Sequence, residues 1–200
     1  MSLLFETMKL DGGRVFNLKY HQARVDAAFK ALFPKVRPVC LEELLAGVSL
    51  PADGLYRLRV SYSDIKAEAA VFPYVRRKIN RLILIEDNSL SYPHKFENRE
   101  MFQRYSGKFA ADEEPLFVVN GQVTDTTFSN IVLNKGNVYV TPAACLLKGT
   151  KRQQMLDTGI ITEMKITPEK LSDFETVHII NALNGIGDIT VPSENIILIP

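Results

Sequence analysis

Apolar runs and turn residues alternate from the start of the chain. Residues 3–10, LLFETMKL, and 14–18, RVFNL, flank Asp11-Gly12-Gly13, a pattern that predicts a β-hairpin. A helix follows over YHQARVDAAFKALFP, where Ala23, Ala27, Phe29 and Leu32 fall at mixed helical spacings before Pro34. LEELLAGV predicts a second, shorter helix that ends near Gly47. GLYRLRVSYS and IKAEAAVFPYV then read as two alternating strands joined around Ser63 and Asp64, with Arg57, Arg59 and Ser61 on one face by period-two geometry.

The basic run VRRKINR after Pro73 breaks the alternation until LILIED, which sets an expected domain junction near residue 78. Beyond it come a strand, a loop, a helix over NREMFQRYSGKFA, and a β-rich stretch whose turns are Asn120-Gly121 and Lys135-Gly136-Asn137. GTKRQQMLDTG reads as a helix between Gly149 and Gly159, and ITEMKITPEKLSDFETVHIINA as a strand, a short helix and a buried strand. The expected architecture is α/β (α+β), with a small domain at 1–78 and a larger one at 79–200.

Composition narrows the function. With 46% hydrophobic and 24% charged residues the chain can bury a sizeable core. Its 24 Lys and Arg against 23 Asp and Glu leave no long-range field to draw it onto nucleic acid or an anionic membrane. Any basic site is therefore local. Cys40 and Cys145 stand apart, and His21, His94 and His178 lack metal-ligand spacing, so no metal and no disulfide framework is expected. Charge arrives by Glu6, too early for a signal peptide, and no apolar run approaches the roughly 18 residues of a membrane span. The expected compartment is the reducing cytoplasm.

Four local constellations carry candidate chemistry. Lys95 sits in SYPHKFENRE, as a solvated charge or as an amine kept for chemistry. Asp125 lies among Thr and Ser in VTDTTFSN, either capping backbone amides or serving as a functional carboxylate. The Gly149-Thr150 step opens a helix, as a plain cap or as a cradle for an anion. Arg24 follows His21 on the first helix, as a surface charge or an anion partner.

In order along the chain these segments resemble the class IV aminotransferases, pyridoxal-phosphate enzymes of fold type IV. LFETMKLDGGRVFNLKYHQARV is similar to that family's early hairpin and H-x-x-R helix, and HKFENRE to its K-x-x-N segment. GQVTDTTFSNIVLNKGNVYVTP resembles its V-T-E…S-N…TP hairpin, LLKGTKRQQML its L-x-G-x-x-R phosphate loop, and HIINALNGI its closing strand and turn. The resemblance implies pyridoxal 5'-phosphate as cofactor and Lys95 as the lysine that holds it as a Schiff base. It implies an anion at Asp125 against the ring nitrogen, where the family generally has Glu. Arg24 then pairs with the phosphate, and Gly149, Thr150, Lys151, Asn181 and Ala182 close the phosphate cup. The family usually carries a further strand and loop ahead of the segment matching Phe5-Glu6-Thr7, so the resemblance implies a shortened N-terminal domain.

Cofactor contacts do not choose the reaction. Thr7 falls where lyases of the family carry threonine, and a hydroxyl there can relay a proton. Arg57 and Arg59 suit a substrate with two carboxylates, unless they pair with Glu68 on the neighbouring strand. Both clues favour cleavage of 4-amino-4-deoxychorismate to 4-aminobenzoate and pyruvate. The alternatives are a branched-chain or D-amino acid aminotransferase, or a cofactor-binding protein with little turnover. By the same resemblance a homodimer is expected.

Overall fold

The computed structural model describes residues 3–198, which form two compact units: residues 3–75 with 94–98, and residues 76–93 with 99–198. The change of unit at 75/76 lies three residues before the expected junction, and 94–98, expected in the second domain, packs in the first.

In the first unit β1 (Leu4–Asp11) and β2 (Arg14–Val15) form the hairpin, followed by α1 (Leu18–Leu32), α2 (Leu41–Ala46), β3 (Leu55–Tyr62) and β4 (Ala67–Pro73). The four strands make one antiparallel sheet in the order β2-β1-β3-β4. Alternation sends Leu4, Met8 and Leu10 of β1 and Leu58, Val60 and Tyr62 of β3 to the core, where Val25, Ala28 and Phe29 of α1 and Leu41 and Leu45 of α2 meet them. The buried stripe of α1 is His21, Val25, Ala28 and Phe29, spaced four, three and one apart. Ala23 and Ala27 are exposed, because that stripe turns them to solvent. Phe29 stacks on Tyr62 at 5.9 Å between ring centres, which ties helix to sheet.

The second unit contains β5 (Arg81–Glu86), α3 (Glu100–Gln103), β6 (Glu113–Val119), β7 (Gln122–Thr126), β8 (Asn130–Lys135) and β9 (Val138–Pro142). They are followed by α4 (Thr150–Asp157), β10 (Thr162–Met164), β11 (Thr176–Ile180), β12 (Thr190–Pro192) and β13 (Ile196–Leu198). Two mixed sheets result, β13-β5-β6-β7 and β10-β9-β8-β11-β12. Leu82, Leu84, Leu116, Val118 and Val123 of the first share one core with Ile131, Leu133, Val140, Val177 and Ile179 of the second. Val132 points the other way, to Met155 of α4. With both faces covered, β8 reads as a continuous apolar run.

The helix expected over 98–110 shrinks to the four residues of α3. Phe102 packs its ring on Tyr92 and Phe117, and Tyr105 also reaches Phe117. Gly107 then takes φ +72°, which ends any helical path. The short helix expected after β10 is a 3-10 turn over Pro168–Asp173. No helix among the described residues is long and apolar enough to cross a membrane.

Candidate active site

β1 and β3 pair residue for residue, with Phe5 opposite Ser61, Thr7 opposite Arg59 and Lys9 opposite Arg57. Directly opposed residues share a face. Thr7, Arg57 and Arg59 therefore stand together on the side of the sheet away from α1. The lysine segment runs along the edge of β1 that β2 leaves uncovered: the Phe5 amide donates to the Lys95 carbonyl at 3.0 Å and the Glu97 amide to the Leu3 carbonyl at 2.9 Å. The Lys95 ammonium lies 4.5 Å from the Phe5 ring centre and the Arg59 guanidinium 4.0 Å from the same centre. Lys95, Thr7, Arg59 and Arg57 are thus gathered on or beside one sheet face.

Arg59 has a carboxylate partner, and it is Glu97, at 2.7 Å, rather than Glu68. The Ser61 hydroxyl donates to the same Glu97 oxygen at 2.6 Å. Burial works to raise the Glu97 carboxyl, and Ser61 and Arg59 outweigh it, so its pKa lies below the ordinary value. Arg57 lays its guanidinium over Phe72, its partner on β4, at 5.0 Å.

The opposite face of β1 holds a group the sequence did not single out. Glu6 is fully buried. Its Oε1 accepts from Arg24 Nε at 2.9 Å, and its Oε2 accepts from Arg24 Nη2 and from His21 Nδ1, each at 2.5 Å. Burial alone would raise the Glu6 carboxyl; the Arg24 charge and the His21 hydrogen bond bring it down to about 2. Burial lowers His21 below its ordinary value, and its Nδ1 faces a carboxylate oxygen that can only accept. Period-two parity with Leu4 and Met8 was the available signal, since a carboxylate on a core-facing position must have partners.

In the second unit Asp125, on β7, is buried and accepts three hydrogen bonds. Asn130 Nδ2 donates to Oδ1 at 2.9 Å, and the amides of Leu146 and Leu147 donate to Oδ2 at 3.0 and 2.9 Å. These donors and the Arg152 charge do not offset burial, which pushes Asp125 up to about 7. Asn130 Nδ2 also bonds the Leu147 carbonyl at 2.9 Å. Its Oδ1 faces Gly149, where a Cβ would stand 2.0 Å away. Gly149 itself has φ −70° and ψ 142°, which any residue adopts. The glycine therefore answers a neighbour, not a backbone turn.

Thr150 is buried at the start of α4, and Lys151 Nζ donates to Gln154 at 3.0 Å. Asn181 Oδ1 accepts from the Leu183 and Asn184 amides, closing the turn that contains Ala182, and its Nδ2 donates to Ser129 Oγ at 2.9 Å. Ser129 and Asn130, neighbours at the head of β8, thus hold the two loops assigned to the phosphate cup. Arg152, last residue of the L-x-G-x-x-R run, is buried and donates to the Pro142 carbonyl and to Glu163, which ties α4 to β9 and β10. Asn130, Ser129 and Arg152 had appeared in the sequence only as letters of motifs.

Two outcomes follow. Gly149→Ala should cost about 1–3 kcal/mol through overpacking against Asn130, and the cost should largely vanish in an Asn130→Ala background, read by urea unfolding; a penalty equal in both backgrounds counts against the steric account. Asp125 has a folded value of about 7 against ~3.9 unfolded. Its contribution to stability is full below pH ~4 and lost as pH climbs toward 7. Unfolding free energy of the cofactor-free protein should fall more steeply over that window in the parent than in Asp125→Asn, and equal slopes would remove Asp125 as the titrating group.

The structure is similar to a Haemophilus somnus protein provisionally assigned as 4-amino-4-deoxychorismate lyase, with TM-score 0.85 and 27% identity over 93% of this chain and 98% of that one. It is also similar to a provisionally assigned amino-acid aminotransferase of Mesorhizobium loti, with TM-score 0.76 and 21% identity over the whole of both chains. A hypothetical aminotransferase of Mycobacterium tuberculosis, in its pyridoxal-phosphate-bound form, shares the fold at TM-score 0.72 and 15% identity, over 97% of this chain and 81% of that one. The amino-transferase class IV family model matches residues 3–191. The chain thus belongs to the class IV aminotransferases, fold type IV enzymes that work with pyridoxal 5'-phosphate.

Proposed function

We propose that this chain is a lyase that splits 4-amino-4-deoxychorismate into pyruvate and 4-aminobenzoate. The observation that carries the reading is the shared face of β1 and β3, where Thr7 stands opposite Arg59, with Arg57 two residues along and Lys95 against the Phe5 ring. That face offers a hydroxyl, an amine and two guanidinium groups, the set that a substrate with one amino group and two carboxylates requires.

The donor set fits the cofactor. Lys95 supplies an amine on a hydrogen-bonded segment, Asp125 a buried carboxylate, and Gly149 and Thr150 the first amides of a helix. Of the roughly four acceptor positions of a carboxylate, Asp125 has used three. Pyridoxal 5'-phosphate, when bound, supplies an electron sink beside the substrate amine. Lys95 would hold it, and would move a proton at Nζ. Asp125 would set its charge against the ring nitrogen, while Arg24, Gly149, Thr150, Lys151, Asn181 and Ala182 would hold the phosphate end. Thr7 delivers a proton through Oγ1 to the pyruvate fragment. Arg57 and Arg59 receive the substrate carboxylates, and Glu97 competes for Arg59. We also propose that the working form is a two-fold homodimer in the cytoplasm, as closed symmetry is the commonest arrangement for such enzymes.

Purified protein supplied with pyridoxal 5'-phosphate should release 4-aminobenzoate and pyruvate in equal amounts, and Lys95→Ala should abolish this together with borohydride-fixable cofactor while leaving the thermal melt intact. Keto acid turnover without 4-aminobenzoate would replace the lyase with an aminotransferase, and fixation without either product would leave a cofactor-binding protein. Fixation retained by Lys95→Ala would displace Lys95 from its role. Sedimentation at micromolar concentration should give a dimer; a fully active monomer would refute the dimer.

A further inference from the structure

We propose that Glu6 is a positioning residue for Arg24: its buried carboxylate fixes the plane of the guanidinium that grips the cofactor phosphate, and His21 holds the carboxylate in turn. This deepens the proposed function and rests on its reading of Arg24 as the phosphate partner.

Glu6 stands at a core position. Leu4, Met8 and Leu10 share its side of β1, all fully buried. Carrying a carboxylate into such a place costs several kcal/mol per ion, and an apolar residue of similar size generally serves a fold as well or better. Packing therefore does not account for a glutamate there, whereas a demand for one fixed orientation does.

The geometry supplies that orientation. One Glu6 oxygen takes Arg24 Nε and the other takes Nη2, the two-point fork that locks a guanidinium in the carboxylate plane. A single contact would leave the guanidinium free to swivel. The carboxylate is fixed as well, because His21, one turn before Arg24 on α1, donates Nδ1–H to Oε2. Glu6 and His21 are fully shielded while the Arg24 side chain keeps 15% of its exposure. The arginine is thus clamped from its inner side at the margin of the core.

The test compares phosphate selectivity, the ratio of dissociation constants for pyridoxal and pyridoxal 5'-phosphate, measured by absorbance titration with thermal melts alongside. Glu6→Gln keeps the shape and removes the charged fork, and should lower the ratio about tenfold, near the lower end for a charge-assisted contact. Arg24→Ala should lower it at least as far, and adding Glu6→Gln to Arg24→Ala should change it no further, since Glu6 acts only through Arg24. Arg24→Lys keeps the charge without the fork and should also lose the ratio, which covers the case that Glu6→Gln does not fold.

A Glu6→Gln protein that melts lower but keeps the parent ratio would make Glu6 a structural ion pair and overturn the proposal. Full selectivity in Arg24→Lys would overturn it as well. Full selectivity in Arg24→Ala would instead remove Arg24 from the phosphate, and the proposed function would lose that assignment along with this proposal.

Discussion

A carboxyl group taken out of water must be given donors or positive charge, and much of this chain's local architecture follows from meeting that demand at Glu6 and at Asp125. The first unit meets it with charge: Arg24 and His21 converge on Glu6, which stays ionised well below neutral pH. At Asp125, in the second unit, the direct donors are neutral, two backbone amides and the Asn130 amide, and burial lifts that carboxyl to about 7. The solutions pin different things. Glu6 ties a helix to a strand, whereas Asp125 ties a strand to the loop that leads into α4. In both places the polar contact sets the direction of a group that hydrophobic packing alone would leave unspecified.

The same economy appears at Ser129 and Asn130. Adjacent side chains of a strand point to opposite sides, so two neighbouring residues can serve two separate loops without competing. Ser129 takes the Asn181 turn and Asn130 the segment from Leu147 to Gly149. Arg152 fastens the next turn of chain to Pro142 and Glu163.

Alternation and turn residues made the β1–β2 hairpin, α1, the β3–β4 pair and the β8–β9 turn readable in the sequence, because each depends on neighbours a few residues apart. The ordered motifs around Lys95, Asp125 and Gly149 made the family readable. What stayed hidden depends on distance along the chain. Parity placed Arg59 on the outer face of β3, but its partner is Glu97, 38 residues away, and no local pattern distinguishes that glutamate from the nearer Glu68. The expected helix over 98–110 failed because the Phe102, Tyr105 and Phe117 rings reward a turn. Gly149 looked like an ordinary helix start, whereas its lack of a side chain is required by Asn130.

The path of the chain through residues 94–98 has a consequence for biosynthesis. The first unit has nearly all of its sequence by residue 75, yet the stretch that pairs with the open edge of β1 is made some twenty residues later, after β5. As the polypeptide leaves the ribosome, helix and sheet can condense early, while the amide of Phe5 and the carbonyl of Leu3 wait for Lys95 and Glu97. The last step of the first unit is therefore tied to synthesis of the second. A gene fragment ending at residue 75 would encode a sheet with an unfinished edge, prone to pair with another copy of itself.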